Sequence, residues 1–337
     1  MGMKEALYWE PVQNEKIKCL LCPHACTISP GAAGLCRVRV HKNGILQAAN
    51  YAKISSAAVD PMEKKPLYHF YPGADILSLG TLGCNLRCSY CQNYTISQLE
   101  APTRRLEPKE AVNLAQKQGP ACIGIAFTYN EPLMWYEYVL ETATKARAAG
   151  LKTVLVTNGF IQPQPLKQLL QVIDALNIDI KAFTENNYRR LWGGRLEPVL
   201  DSIRTVIEAG CHLELTTLVI PGYNDSPAEI TALTEWISDL SPDIPLHLSR
   251  YFPHYKLNLP PTPLETLEQA AQISRRSLNY VYIGNADLAS GRDTCCPKCG
   301  AVLISRRGYS PRFIGAKEDG SCGQCGWGGV FTHKIKS

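Results

Sequence analysis

From residue 76 to about residue 285, short β-branched runs alternate with segments long enough for helices, and this alternation restricts the fold more than any other feature of the chain. The runs are Ile76-Leu77-Ser78-Leu79-Gly80, Cys122 to Phe127, Thr153-Val154-Leu155-Val156, Ile178-Asp179-Ile180, Leu213 to Val219, Leu246-His247-Leu248 and Tyr280-Val281-Tyr282-Ile283. Between them, Leu133 to Ala149, Leu166 to Val172, Pro198 to Ala209, Ala228 to Leu240 and Leu264 to Leu278 suit helices. Such repetition implies parallel strands with right-handed crossovers in an α/β fold. Six or seven units fall short of the eight of a closed (β/α)8 barrel, so an open, partial (β/α)6-type barrel is expected. With 337 residues, 45% of them apolar, the chain can bury a large core.

These runs end in residues that packing alone does not call for. They are the cysteine loop after Gly80, Thr128-Tyr129-Asn130-Glu131-Pro132, Thr157-Asn158-Gly159, Asp179-Ile180-Lys181, Pro221 to Asp225, Arg250 to His254, and Gly284 to Asp287. In β/α barrels the carboxyl ends of the strands hold the active site, so polar groups repeated there read as one cavity. Taken singly each is weak. Glu131 alone would most simply complement a helix dipole, and Asn158-Gly159 alone would be a turn.

The fourteen cysteines divide into four in residues 19–36, three in residues 84–91, four in residues 296–325, and Cys122, Cys211 and Cys295. Cytosolic thiols stay reduced, so these are read as metal ligands before disulfides. The central run Gly83-Cys84-Asn85-Leu86-Arg87-Cys88-Ser89-Tyr90-Cys91 spaces its thiols C-x3-C-x2-C at a strand tip. Three thiolates on a 4Fe-4S cube leave one iron open to a small molecule; the alternative is a zinc knuckle with a remote fourth ligand. Cys19, Cys22, Cys26 and Cys36 lie among turn residues with little core of their own, which a bound zinc ion or auxiliary iron-sulfur cluster would constrain; buried thiols packed on the main domain are the alternative. In the tail, Cys296, Cys299, Cys322 and Cys325 form two C-x2-C knuckles, a zinc-ribbon pattern that rubredoxin-like iron would also fit. Cys295 falls outside the knuckles, and Cys122 and Cys211 read as small core residues. Expected boundaries are an N-terminal cysteine-rich segment and proline-punctuated linker at 1–72, the barrel at 73–288 and the zinc-ribbon-like tail at 289–337.

Composition argues against several partners. A net charge of +5, charged residues at only 19% and no basic run give no nucleic-acid surface. No stretch of about eighteen apolar residues suggests a membrane span, and no signal sequence is read, so a cytoplasmic location is expected.

Cys84-x3-Cys88-x2-Cys91, Tyr129-Asn130-Glu131-Pro132, Thr157-Asn158-Gly159-Phe160 and Asp179-Ile180-Lys181 together resemble radical S-adenosylmethionine (SAM) enzymes related to the pyruvate formate-lyase activating enzyme. With the N-terminal cysteines, Glu63 to Phe70, Gln92-Asn93 and the C-terminal knuckles, the chain is more narrowly similar to the AmmeMemoRadiSam system radical SAM enzyme. That resemblance implies a 4Fe-4S cluster on Cys84, Cys88 and Cys91, whose open iron is chelated by SAM. It also implies a SAM pocket made by Tyr90, Asn130, Glu131, Thr157, Asn158, Asp179 and Lys181. Lys181 and Arg87 would stabilise negative charge, and the substrate would lie deeper, toward Arg250 and His254. One electron, from a donor such as flavodoxin or ferredoxin, would break the C5'-S bond of SAM, and the 5'-deoxyadenosyl radical would take hydrogen from a small molecule or a protein partner of the same system. A glycyl radical activase and a non-catalytic iron-sulfur or zinc adaptor are the alternatives. Where glycyl radical activases often carry a cation-binding aspartate before Thr-Asn-Gly, this chain has Val156.

Overall fold

The computed structural model describes residues 4–328 and Phe331, so the end of the tail lies outside the described residues. The centre is an eight-stranded sheet of β1 (Ser56–Pro61), β2 (Asp75–Gly80), β3 (Cys122–Phe127), β4 (Lys152–Thr157), β5 (Ala175–Asp179), β6 (His212–Val219), β7 (Leu246–Arg250) and β8 (Val281–Gly284). Its order is β1-β2-β3-β4-β5-β6-β7-β8. Strands β2 to β8 pair in parallel and β1 runs antiparallel at the edge. Six helices fill the crossovers: α1 (Pro108–Gln116), α2 (Tyr136–Ala148), α3 (Pro163–Leu170), α4 (Glu197–Glu208), α5 (Pro227–Leu240) and α6 (Leu264–Ser274). Each parallel connection needs such a crossover.

The apolar strands are covered on both faces, which is why they read as continuous runs rather than alternating ones; in β3, five of six residues are buried. The helices show their own period. In α4, Val199, Leu200, Ile203 and Val206 form one buried stripe, and each such side chain contributes roughly 1.5–3 kcal/mol on burial.

The stretch 60–73, expected to be a proline-punctuated linker too irregular for a strand, begins inside the sheet. Ser56–Pro61 is β1 because its extended backbone completes the β2 edge, and proline is tolerated at the strand end. Lys65 is buried and pairs with Asp60 at 2.7 Å, while Lys64 pairs with the same carboxylate at 2.8 Å from an exposed position.

Two small three-stranded sheets carry the N-terminal residues: Trp9–Val12, Lys16–Cys19 and Thr27–Ile28, then Lys4–Glu5, Ile45–Ala48 and Arg39–Lys42. A buried ion pair, Arg39 to Glu137 at 2.8 Å, ties the second sheet to α2. A C-terminal sheet of Thr294–Cys295, Val302–Arg307 and Ser310–Phe313 packs at the start of the strands. There the buried Arg306 donates to Tyr68 O at 3.0 Å and Thr294 Oγ1 at 2.7 Å, and its guanidinium lies over the Tyr68 ring. Beside it Glu214, fully buried on β6, accepts from Tyr68 N, His69 N, His212 Nε2 and His247 Nε2 at 2.7–3.0 Å. Burial works against this carboxylate's charge, but His212 and His247 outweigh it and hold its pKa well below the usual range.

Candidate functional site

The cysteine loop leaves β2 through Gly83, whose φ of +90° suits glycine. A Cβ there would stand 2.7 Å from Cys36 O, so the N-terminal module lies directly against the residue preceding Cys84. Asn130 fixes the turn from the next strand tip: its Nδ2 donates to Gly83 O at 2.7 Å and its Oδ1 accepts from Thr81 N at 3.1 Å. Further along, Arg87 N donates to Trp192 O at 2.9 Å and Gln98 Nε2 to Leu86 O at 2.9 Å. Cys88 is buried, Cys84 and Cys91 are half-buried, and none is in a disulfide.

The neighbouring tips converge on this loop. Asn158 Nδ2 donates to Asn85 Oδ1 at 2.9 Å and stands 3.8 Å from Cys84 Sγ, which also accepts from Leu86 N at 3.4 Å. Glu131 is buried and uses both oxygens within the protein: Oε1 accepts from Thr157 Oγ1 at 2.6 Å and Leu133 N at 3.0 Å, and Oε2 from Asn158 N at 2.8 Å. Burial raises its pKa to about 7 despite those donors. Lys181 Nζ donates to Asp179 Oδ2 at 2.9 Å. Burial alone would lower this ammonium, but the charges of Asp179, Tyr90 and Cys88 outweigh it and hold it well above the usual lysine range. Asp179 Oδ1 has no hydrogen bond within the described chain, and its side chain is 36% exposed, so it is the tip carboxylate with capacity to spare.

Tyr90 is buried under the loop and accepts from Trp192 Nε1 at 2.7 Å. His254 differs from its expected place deep in the cavity. It is exposed on the loop after β7, 3.1 Å from Gln92 O and edge-on to Tyr94. The reason is that this loop folds back over the cysteine run, with Lys256 N donating to Ser89 O at 2.8 Å. Arg250 is half-buried and donates to Thr262 O at 2.8 Å. A cavity of about 390 Å³ opens beside the cysteine loop, and Arg37, Arg87 and Lys256 line it together with Gln98 and Tyr255, so anionic groups are favoured there.

The sequence reading assigned no role to Asn85 or Asn224. Asn85 joins Asn158 to Phe160 O at 2.7 Å, and Asn224 holds Lys181 O at 2.7 Å. Asn224 follows Gly222 in a turn where an asparagine side chain commonly bonds the backbone, and that was the available signal.

The three cysteine sets differ in spread. Among the described residues, the one group of three or more Cys, His, Asp or Glu ligand atoms lying within 4.8 Å of one another is Cys296, Cys299, Cys322 and Cys325. Cys296–Cys325 and Cys299–Cys322 sulfurs are each 3.6 Å apart, a spacing that fits one metal ion. Cys84, Cys88 and Cys91 are spread wider, as ligands on separate irons of a cluster are, and their donor set of thiols under amide and backbone N–H groups fits that group. Cys19, Cys22, Cys26 and Cys36 are also outside the compact class. Burial pushes the Cys22 thiol up to about 12, and Cys36, Cys19 and Cys26 are near enough to add to the shift. Of the remaining cysteines, Cys122 is buried, Cys211 half-buried and Cys295 exposed.

Residues 79–234 match the family model of the radical SAM superfamily, so the chain carries a radical SAM domain, and over 331 residues it is 42% identical to uncharacterized protein MJ0808 of Methanocaldococcus jannaschii, covering 96% of this chain and 98% of that one. It is also 25% identical over 169 residues to the pyruvate formate-lyase-activating enzyme of Listeria monocytogenes, 47% of this chain and 67% of that protein. A crystal structure of Streptococcus suis SuiB bound to S-adenosylmethionine, 14% identical, matches with a TM-score of 0.51 over 67% of this chain and 53% of that one, which shows a shared fold. A radical SAM domain implies a 4Fe-4S cluster, SAM and a reductant. No described helix is long and apolar enough to cross a membrane.

Proposed function

We propose that the chain is a cytoplasmic enzyme that reductively cleaves SAM and uses the resulting radical to abstract hydrogen from a small molecule or a protein partner of the AmmeMemoRadiSam system. The observation that carries this reading is the convergence of Cys84, Asn158, Asp179 and Lys181 at one end of the sheet. Cys84, Cys88 and Cys91 would hold a 4Fe-4S cluster, which when bound would supply the single electron for cleavage of the C5'-S bond of SAM. The chain's own groups supply placement. Asp179 would accept from the ammonium of a bound SAM and Lys181 would offset its carboxylate, while Thr157 and Asn158 would line the pocket in positions that Glu131 and Asn130 brace, with Tyr90 beneath the loop. A charge-assisted bond of the Asp179 type contributes about 1.5–3 kcal/mol when desolvated. His254, being exposed beside the loop, belongs to the rim where a substrate or a partner arrives, and the cations of the adjoining cavity suit an acidic flavodoxin or ferredoxin. Zinc is the ion proposed for the C-terminal knuckles.

The similarity to a pyruvate formate-lyase-activating enzyme favours a glycyl radical activase as the second reading. Both readings require SAM cleavage, and the adaptor does not. Anaerobic protein given dithionite and SAM should yield 5'-deoxyadenosine. A Cys84→Ala, Cys88→Ala, Cys91→Ala variant that cleaves SAM at the wild-type rate overturns the proposal.

A further inference from the structure

Four thiolates at about 2.3 Å from one zinc ion stand roughly 3.8 Å apart by tetrahedral geometry. The C-terminal sulfurs meet that spacing. The N-terminal ones do not, since no three of Cys19, Cys22, Cys26 and Cys36 bring their sulfurs within 4.8 Å of one another. They are nonetheless built into one place. Cys19 ends a strand and its N–H donates to Cys26 O at 2.9 Å; Ala25 N donates to Cys22 O at 3.0 Å; and a Cβ on Gly34, two residues before Cys36, would sit 3.7 Å from Cys26 Sγ. Cys19, Cys22 and Cys36 are buried, Cys26 is half-buried, and all four are free thiols. A cube with one thiolate on each of four irons carries its ligands further apart than a single ion does.

A second observation points to a bound group. Arg39, 1% exposed, sits beside Cys36 and within hydrogen-bonding reach of the Cys19 thiol, and its Nε–H has no well-formed acceptor among the described residues although its other nitrogens bond Glu137 and Leu7 O. A buried donor left unpaired costs about 1–3 kcal/mol, and a cluster or thiolate sulfur is the acceptor this neighbourhood would supply. Its fixed positive charge also offsets the negative charge of a four-thiolate cluster.

We propose that Cys19, Cys22, Cys26 and Cys36 hold a second iron-sulfur cluster of the 4Fe-4S class, and that it relays single electrons to the cluster at Cys84, Cys88 and Cys91; this rests on the radical SAM reading of the central loop. Four protein ligands leave no open iron for SAM or substrate, so outer-sphere electron transfer is the chemistry that remains. The route is short. Cys36 O lies against Gly83, next to Cys84, and His24 Nε2 is 2.7 Å from Asn85 O. A flavodoxin- or ferredoxin-class donor loses one electron, the N-terminal cluster gains it, and that cluster returns to its oxidised form on reducing its neighbour, with no bond made or broken.

The test uses the full chain reconstituted anaerobically with iron and sulfide, with iron and zinc counted per chain and electron paramagnetic resonance recorded after reduction, with and without SAM. Wild type should hold about eight irons, and the Cys84→Ala, Cys88→Ala, Cys91→Ala variant about four, with a signal that SAM does not move. A Cys22→Ser, Cys26→Ser variant should hold about four irons and keep the SAM-responsive signal. In it, the ratio of flavodoxin-driven to dithionite-driven SAM cleavage should fall at least tenfold. If the triple variant binds no iron and a second zinc instead, the N-terminal cluster is refuted while the central reading stands. Should the triple variant keep all its iron and its SAM-responsive signal, the central reading fails instead. An unchanged flavodoxin-to-dithionite ratio in the Cys22→Ser, Cys26→Ser variant overturns the relay.

Discussion

The two cysteine modules sit at opposite ends of one sheet and hold their thiols differently. The C-terminal module packs at the strand starts through Arg306, Tyr68 and Tyr282, and its four sulfurs close to single-ion spacing. The N-terminal module packs at the strand ends against Gly83 and Asn85, and its sulfurs stay apart. Position and spacing vary together: the compact set lies at the strand starts, away from the Cys84–Cys91 loop, and the spread set lies against that loop.

The largest expected effect comes from breaking the compact set. Structural zinc in small modules contributes about 10–16 kcal/mol of apparent binding free energy, so if Cys296, Cys299, Cys322 and Cys325 hold the proposed zinc, stripping it with a strong chelator should collapse the sheet around Val302–Arg307 and uncover the Arg306 seam. Metal analysis and thermal unfolding before and after chelation check this; an unchanged midpoint with the metal gone would show that the module is held by packing alone.

Local pattern carried much of this architecture, and tertiary context carried the rest. The seven parallel strands and their helices follow from apolar runs at regular intervals, and the C-x2-C knuckles already contain their geometry. Ser56–Pro61 was hidden because an edge strand completes itself by pairing with β2, a contact that its Asp60-Pro61 ending disguises. Glu63, His69 and Glu214 were equally hidden, since a buried polar group is recognisable only once its partners, such as Tyr282 for His69, 213 positions away in sequence, are brought to it. At the site, spacing located the cysteine loop and the tips. It did not show that Asn130 and Glu131 spend their hydrogen bonds on the scaffold, nor that the 252–257 loop folds back and carries His254 to the surface.

A smaller effect sharpens the contact of the N-terminal module with the loop. Gly83→Ala adds a Cβ at 2.7 Å from Cys36 O in a backbone with φ of +90°, and strain of that kind together with overpacking costs roughly 2–5 kcal/mol. Gly119→Ala is the matched control, because Gly119 has φ of +89° and nothing within 4 Å of its added Cβ. It should cost only about 1 kcal/mol, the conformational part. Urea unfolding of the two variants separates clash from conformation. Equal losses would mean that the two segments do not press on each other.

The smallest effect concerns the other end, and its sign follows from proton linkage. Glu63 is buried, and burial raises its pKa to about 7; Arg306, 3.9 Å away and too distant for a hydrogen bond, offsets only part of that. Unfolding returns the carboxyl to its ordinary value near 4.5. Between those two values the folded chain binds more protons than the unfolded one, so stability contributed by this group is fully present below about pH 4.5 and declines as pH rises to about 7, then stays level. Glu63→Gln keeps an acceptor for Gly73 N, which Glu63 Oε1 now receives at 3.0 Å, and removes the titration. The stability of Glu63→Gln relative to wild type should therefore rise with pH across that window, by roughly 3 kcal/mol at about 1.4 kcal/mol per pH unit, with the lost Arg306 attraction only a pH-independent offset, and should not change further above pH 8. Parallel stability curves from pH 5 to 8 would mean that Glu63 is ionised throughout and that Arg306 compensates its burial fully, making the C-terminal seam an ion pair rather than a proton-dependent one.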